Sequence, residues 1–142
     1  MSKDTELKQI KFLNDVFLSL FRVVINLEIR IIHIGNNNEA KGLLPIAEAI
    51  KDIVNNGEKQ IEELKKDFEN EESESEIKQV KVLKGIFDSL FSVSITLKIQ
   101  IAHLNNDKDL LSVAEMIKNT IENGEKHIEE LEEEFEEEEK KK

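Results

Sequence analysis

The chain contains no cysteine, no tryptophan and no tyrosine, and among its 142 residues a single proline, Pro45. Without cysteine there can be neither a disulfide framework nor a thiol nucleophile, and the redox state of the compartment leaves no mark. No apolar run approaches the length of a membrane span. The opening Met-Ser-Lys-Asp-Thr-Glu has no hydrophobic stretch of the signal-peptide kind. Clustered basic residues are also missing: Asp and Glu number 31 against 20 Lys and Arg, for a formal charge of −11. Phosphate neutralisation needs such clusters, so nucleic acid is not an expected partner. Anionic membranes are disfavoured on the same ground. Gly35 and Gly42 flank a loop, but neither a Gly-x-Gly pattern nor a following Lys-Ser/Thr accompanies them. No Gly-x-Ser-x-Gly elbow occurs. These absences predict a soluble, cytoplasmic protein that is not an enzyme and carries no cofactor.

What is present is repetition. Lys8-Gln9-Ile10-Lys11 returns as Lys78-Gln79-Val80-Lys81, His33 returns as His103, and Gly57-Glu58-Lys59 returns as Gly124-Glu125-Lys126. Two copies of one supersecondary unit imply a pseudo-two-fold object. The expected organisation is one domain over 1–142. Repeat one lies at 5–70 and repeat two at 75–139, joined by an acidic connector at 69–76.

Between Phe17 and His33 every odd position matches its counterpart, as in Phe21/Phe91, Ile25/Ile95 and Ile29/Ile99, while of the even positions only Leu20/Leu90 does. Identity at a period of two, dense β-branching and no internal glycine or proline predict a strand with one buried face. Downstream the period changes. Leu43, Ile46, Ala47, Ile50, Ile53, Val54, Gly57, Ile61, Leu64 and Phe68 recur in three- and four-residue steps, and the second copy follows suit from Leu110 to Phe135. This predicts a long amphipathic helix with a Glu/Lys back. Pro45 sits in its first turn, and Asp107 or Asp109 can cap the second copy. The apolar register continues through Gly57 and Gly124, which favours one helix with a close approach at the glycine over a C-cap followed by a shorter helix.

The opening segments read two ways. Leu7, Ile10, Leu13, Phe17 and Leu20 fit a helix, as do Ile77, Val80, Leu83, Phe87 and Leu90. The rival is a hairpin turning at Asn14-Asp15 and Lys84-Gly85, pairing Phe12 with Phe17 and Val82 with Phe87. A lone strand pair is marginal, so the expected fold is α+β. It is a ββα–ββα repeat with a curved antiparallel sheet and two long helices on one face, with αβα–αβα as the alternative.

The chain resembles a computationally designed α+β protein. The resemblance rests on helix backs of nearly pure Glu and Lys (Glu62-Glu63, Lys65-Lys66, Glu129-Glu130), on the alternation from Ser92 to Gln100, and on the idealised loop from Asn105 to Leu111. Asn36-Asn37-Asn38, Asn55-Asn56 and Gly85 depart from it. The resemblance implies a scaffold without a natural substrate.

Two residue pairs interrupt the repeated apolar set: Ser19/Ser89 and His33/His103. Buried polar groups need partners, so these four are the candidate pocket-lining residues, polar anchors of a cavity for a small apolar ligand between sheet and helices. Zinc takes three or four ligands, and neither these histidines nor His127 offers such a set, so no metal is expected. Ser19 with His33 or His103 lacks an acid to orient the imidazole, so no catalytic residues are assigned. The expected function is a non-enzymatic scaffold. The alternatives are a small-ligand binding module and a homodimerising module using a sheet edge or the second face, on which Leu18, Leu20, Val24, Ile32 and Ile34 make copy one unusually apolar.

Overall fold

The structure, a computed structural model, describes residues 3–34, 41–71, 73–104 and 108–141. The described residues form four helices and contain no strand: α1 (Lys3–Ile34), α2 (Leu44–Glu69), α3 (Ser73–His103) and α4 (Lys108–Lys141). The α+β expectation is therefore overturned, together with both its ββα and αβα forms. Phe17–His33 and its counterpart are helical, and Asn14-Asp15 and Lys84-Gly85 lie inside α1 and α3 rather than at hairpin turns. The connector is also shorter than expected, because α3 already begins at Ser73. The Asp107 cap, Asn36-Asn37-Asn38, Gly35, and Asn105 to Asp107 of the idealised loop fall outside the described residues.

The reason lies in which residues are buried. Along α1 the core takes Ile10, Leu13, Phe17, Leu20, Val24, Leu27 and Ile31; along α3 it takes Val80, Leu83, Phe87, Leu90, Ser94, Leu97 and Ile101. These steps alternate between three and four, the seam of a helix packed in a bundle. The pattern of matched residues does not follow this burial. Of the matched odd positions, Phe17, Leu27 and Ile31 face the core and Phe21, Val23 and Ile25 flank it half-buried. Ile29 is 49% exposed. The period of two thus reported which residues the copies share, not which side is inside. The β-branched run did not decide the matter because packing overrides intrinsic preference.

The α2 and α4 expectations agree with the structure. Each runs unbroken through its glycine, and Pro45 occupies the first turn of α2, where a missing N–H leaves no helical bond unmade. Each helix packs on two neighbours: α1 and α3 each lie against both α2 and α4. Cross-helix pairs fix the directions. Lys51 of α2 reaches Glu28 of α1 at 3.3 Å; on α4, Glu132 meets Lys84 at 3.0 Å and Glu115 meets Lys98 at 2.8 Å. Adjacent helices are antiparallel, an up-down-up-down four-helix bundle. The two repeats are its two hairpins, α1–α2 and α3–α4, related by an axis running along the bundle.

The halves meet at the centre through aromatic rings. Phe17 of α1 and Phe87 of α3 stack across the axis, centroids 5.1 Å apart and planes at 23°. Each ring lies over a glycine of its own hairpin. A Cβ built on Gly57 falls 2.4 Å from Phe17 Cε1, and one on Gly124 falls 2.4 Å from Phe87 Cε1. Real Cβ atoms do not come that close, so the two glycines are the notches in which the rings sit.

Candidate functional site

Among the described residues, two places bring several polar groups together with full or partial burial. The first is the end where α1 and α3 begin and α4 finishes. Glu6 is 1% exposed and Glu76 5%. Both sit one seam step before Ile10 and Val80, where the heptad calls for an apolar residue. Glu134 of α4 is buried beside them. Burial pushes the Glu6 carboxyl up from 4.5 to about 8, reinforced by a hydrogen bond with Glu138 and by the charges of Glu138, Glu76 and Glu134. The Glu134 carboxyl is also raised, by burial first and then by Glu130 and Glu138. Two carboxyls sharing a hydrogen bond need a proton between them, so at neutral pH this end of the bundle retains one. One oxygen each of Glu6 and Glu134 has no hydrogen-bond partner.

The second place is the α1–α4 face. The His127 ring lies on Phe12 with centroids 3.8 Å apart. Its Nδ1 is 2.7 Å from Gln9 Oε1, and Gln9 Nε2 donates to Glu130 Oε2 at 3.1 Å. With the amide oxygen of Gln9 facing it, Nδ1 carries the hydrogen and donates. Phe12 also borders an open groove of about 510 Å³ between α1 and α4, shared with Asp15, Ser19, Thr120, Asn123 and Lys126. Across the axis Val82 and Gln60 take the places of Phe12 and His127, so this face exists once in the molecule. Gln79 still donates to Glu63 there, at 3.3 Å, as Gln9 does to Glu130.

The four residues singled out in the sequence are not buried. Ser19, Ser89, His33 and His103 are all exposed. Ser19 borders the α1–α4 groove. His33 borders a shallow depression of about 220 Å³ with Arg30, Ile34, Asp109 and Leu110. His33 and His103 occupy the last turns of α1 and α3 and so share one end of the bundle, rather than lying at opposite ends of a sheet. Ser19 and His127 border neighbouring stretches of the α1–α4 face. Phe12, which carries the imidazole, is about 10 Å along α1 from Ser19 at 1.5 Å per residue, too far for His127 to act as its base. Among the described residues, no group of three or more His, Asp or Glu is arranged to hold a metal ion. None of the described helices is long and apolar enough to cross a membrane.

Of the residues on the expected second face, Leu20 and Val24 belong to the core. Leu18, Ile32 and Ile34 are exposed, with Ile29 beside them on α1. Glu6 and Glu76 escaped the sequence reading although a signal existed. They match between copies and stand one seam step ahead of Ile10 and Val80. Once the first segment is read as helix, a repeated carboxylate falls on the seam.

Comparison of the chain with protein-family models, with curated proteins and with solved structures gave no match.

Proposed function

We propose that this protein is a non-enzymatic structural scaffold, a duplicated helical hairpin whose task is to hold one shape. The observation that supports this best is the filled centre. Phe17 and Phe87 stack on the axis, each seated in a glycine notch, with Leu13, Leu20, Leu83 and Leu90 fully buried on the same seams. A protein that takes a small apolar molecule between its helices needs space where these rings lie. The Glu- and Lys-rich backs of α2 and α4, and the lack of Cys, Trp and Tyr, fit a designed origin, which belongs to the same proposal.

The test is thermal unfolding with a panel of small apolar ligands. A ligand that binds only the native state raises Tm, and the proposal expects no member of the panel to do so. A saturable rise with any of them would overturn it in favour of a binding module. A second reading, a homodimerising module, draws on the exposed row of Leu18, Ile29 and Ile32 along α1. If it holds, Ile32→Lys abolishes a dimer seen by sedimentation and leaves Tm of the monomer unchanged.

A further inference from the structure

The two hairpins meet through the same surface used twice. Gln9 of α1 bonds Glu130 of α4, and Gln79 of α3 bonds Glu63 of α2. Phe17 stacks on its own counterpart Phe87, and Phe68 lies 6.3 Å from its counterpart Phe135. Every one of these contacts joins one hairpin to the other. A second molecule of this chain carries an identical set and can supply them unchanged.

What keeps the pairing within one chain is the short link between Glu69 and Ser73. Asn70 caps α2 and donates to Lys66 O at 3.0 Å; Glu71 N–H then donates to Phe68 O at 3.2 Å. Glu71 takes φ 56° to do so and is the one non-glycine residue with positive φ among those described. This is the left-handed seat that follows many helices, where glycine is the usual occupant because a Cβ is strained there. The turn is braced by Ser75 Oγ, which donates to Asp67 Oδ2 at 2.5 Å across it. A tight link with a strained residue, between two halves that fit each other as they would fit a copy, is the arrangement that favours exchange.

We propose that two molecules of this chain exchange hairpins. The α1–α2 hairpin of one packs on the α3–α4 hairpin of the other, and the link opens to release the left-handed Glu71. The dimer keeps the contacts between hairpins, gives up the bonds across the closed link from Ser75 to Asp67 and from Glu71 to Phe68, and gains the relaxed backbone. The proposal does not depend on the scaffold reading, since the exchange needs only the interface and the link.

The experiment exploits the absence of cysteine. In a Gln9→Cys, Glu130→Cys variant, a short bismaleimide bridges α1 and α4 wherever they lie side by side. The protein is unfolded, refolded at millimolar concentration and cross-linked. A closed monomer, or a dimer of closed monomers touching by their outer faces, is bridged within one chain and runs as a single chain on a denaturing gel. An exchanged dimer is bridged between chains and runs at twice the mass. The double-mass band is the expected result, and adding Glu71→Gly should lower the dimerisation constant roughly tenfold or more, because glycine relieves the closed turn in both chains. Loss of the double-mass band at all concentrations overturns the proposal, as does a dimer bridged only within chains or a Glu71→Gly dimer as abundant as the parent. The outer-face reading fails separately, through Ile32→Lys.

Discussion

Alanine at Gly57 is expected to weaken the fold although α2 as an isolated helix would prefer it. The added Cβ would lie 2.4, 2.5 and 2.9 Å from Phe17 Cε1, Cζ and Cδ1. The ring cannot simply swing aside, since Phe17 has no solvent exposure and is stacked on Phe87, which presses on Gly124 in turn. Forcing extra volume into such a core costs about 1–3 kcal/mol. The better helix propensity of alanine returns about 1 kcal/mol, leaving a net loss of up to about 2 kcal/mol. Gly85 is the internal control. It lies in the interior of α3, exposed, and a Cβ there meets nothing within 4 Å. Gly85→Ala should therefore raise stability by up to about 1 kcal/mol. The chain has no Trp or Tyr, so urea unfolding is best followed by far-UV circular dichroism, with midpoints converted through a common m value. Opposite signs at the two glycines are the expected result. A Gly57→Ala variant as stable as Gly85→Ala would refute the notch. A double-mutant cycle with Phe17→Leu sharpens the test: if the clash is with the ring, shortening it recovers part of the alanine penalty, with a coupling of at least about 0.5 kcal/mol.

Other expectations follow from the same packing. The Glu6 carboxyl holds its proton more tightly when folded (about 8) than in the unfolded chain (4.5), so its favourable contribution is complete below about pH 4.5 and disappears as pH rises through about 8. The gap corresponds to at most about 5 kcal/mol. Tm should fall between pH 5 and pH 8.5, and Glu6→Gln should flatten that fall; an unchanged slope in the variant would contradict the assignment. Ser94 is fully buried where the first copy has Val24, its hydroxyl donating back to Phe91 O at 2.7 Å. Ser94→Val should therefore gain about 1 kcal/mol by denaturant titration, and a loss of that size would show the site has no room. Lys98→Ala removes a 2.8 Å pair with Glu115 on the surface and should move stability by less than about 0.5 kcal/mol, with a larger loss counting against a packing-dominated fold.

Much of the bundle was legible in the chain, but not its class. The duplication, the long helices through Gly57 and Gly124, the first-turn proline and the close approach at the glycines rest on repetition and on three- and four-residue steps that continue through both glycines. The first segment carried two spacings at once. Leu7, Ile10, Leu13, Phe17 and Leu20 step in threes and fours, and Val24, Leu27 and Ile31 continue that series. Over the same stretch the matched odd positions imitate a strand. A helix wedged between two neighbours buries its seam fully and its flanks partly, so Phe21, Val23 and Ile25 are apolar without being core. Similarity between copies recorded all of these together, and so could not separate inside from edge. The candidate serines and histidines inherited that error: Ser19 and His33 share the odd register but point outward once the chain coils. The Phe12–His127 contact was out of reach for a different reason. It joins α1 to α4, and a single sequence without a fold gives no means of pairing residues so far apart.

The aromatic pair on the axis bears on how the molecule comes apart. Each ring is clasped by its own hairpin and leans on the ring of the other, so neither hairpin can loosen its centre while its twin stays intact. Duplicated units often melt one after the other, like beads. Here the shared middle ties the two fates together, and calorimetry should record one sharp transition in place of two.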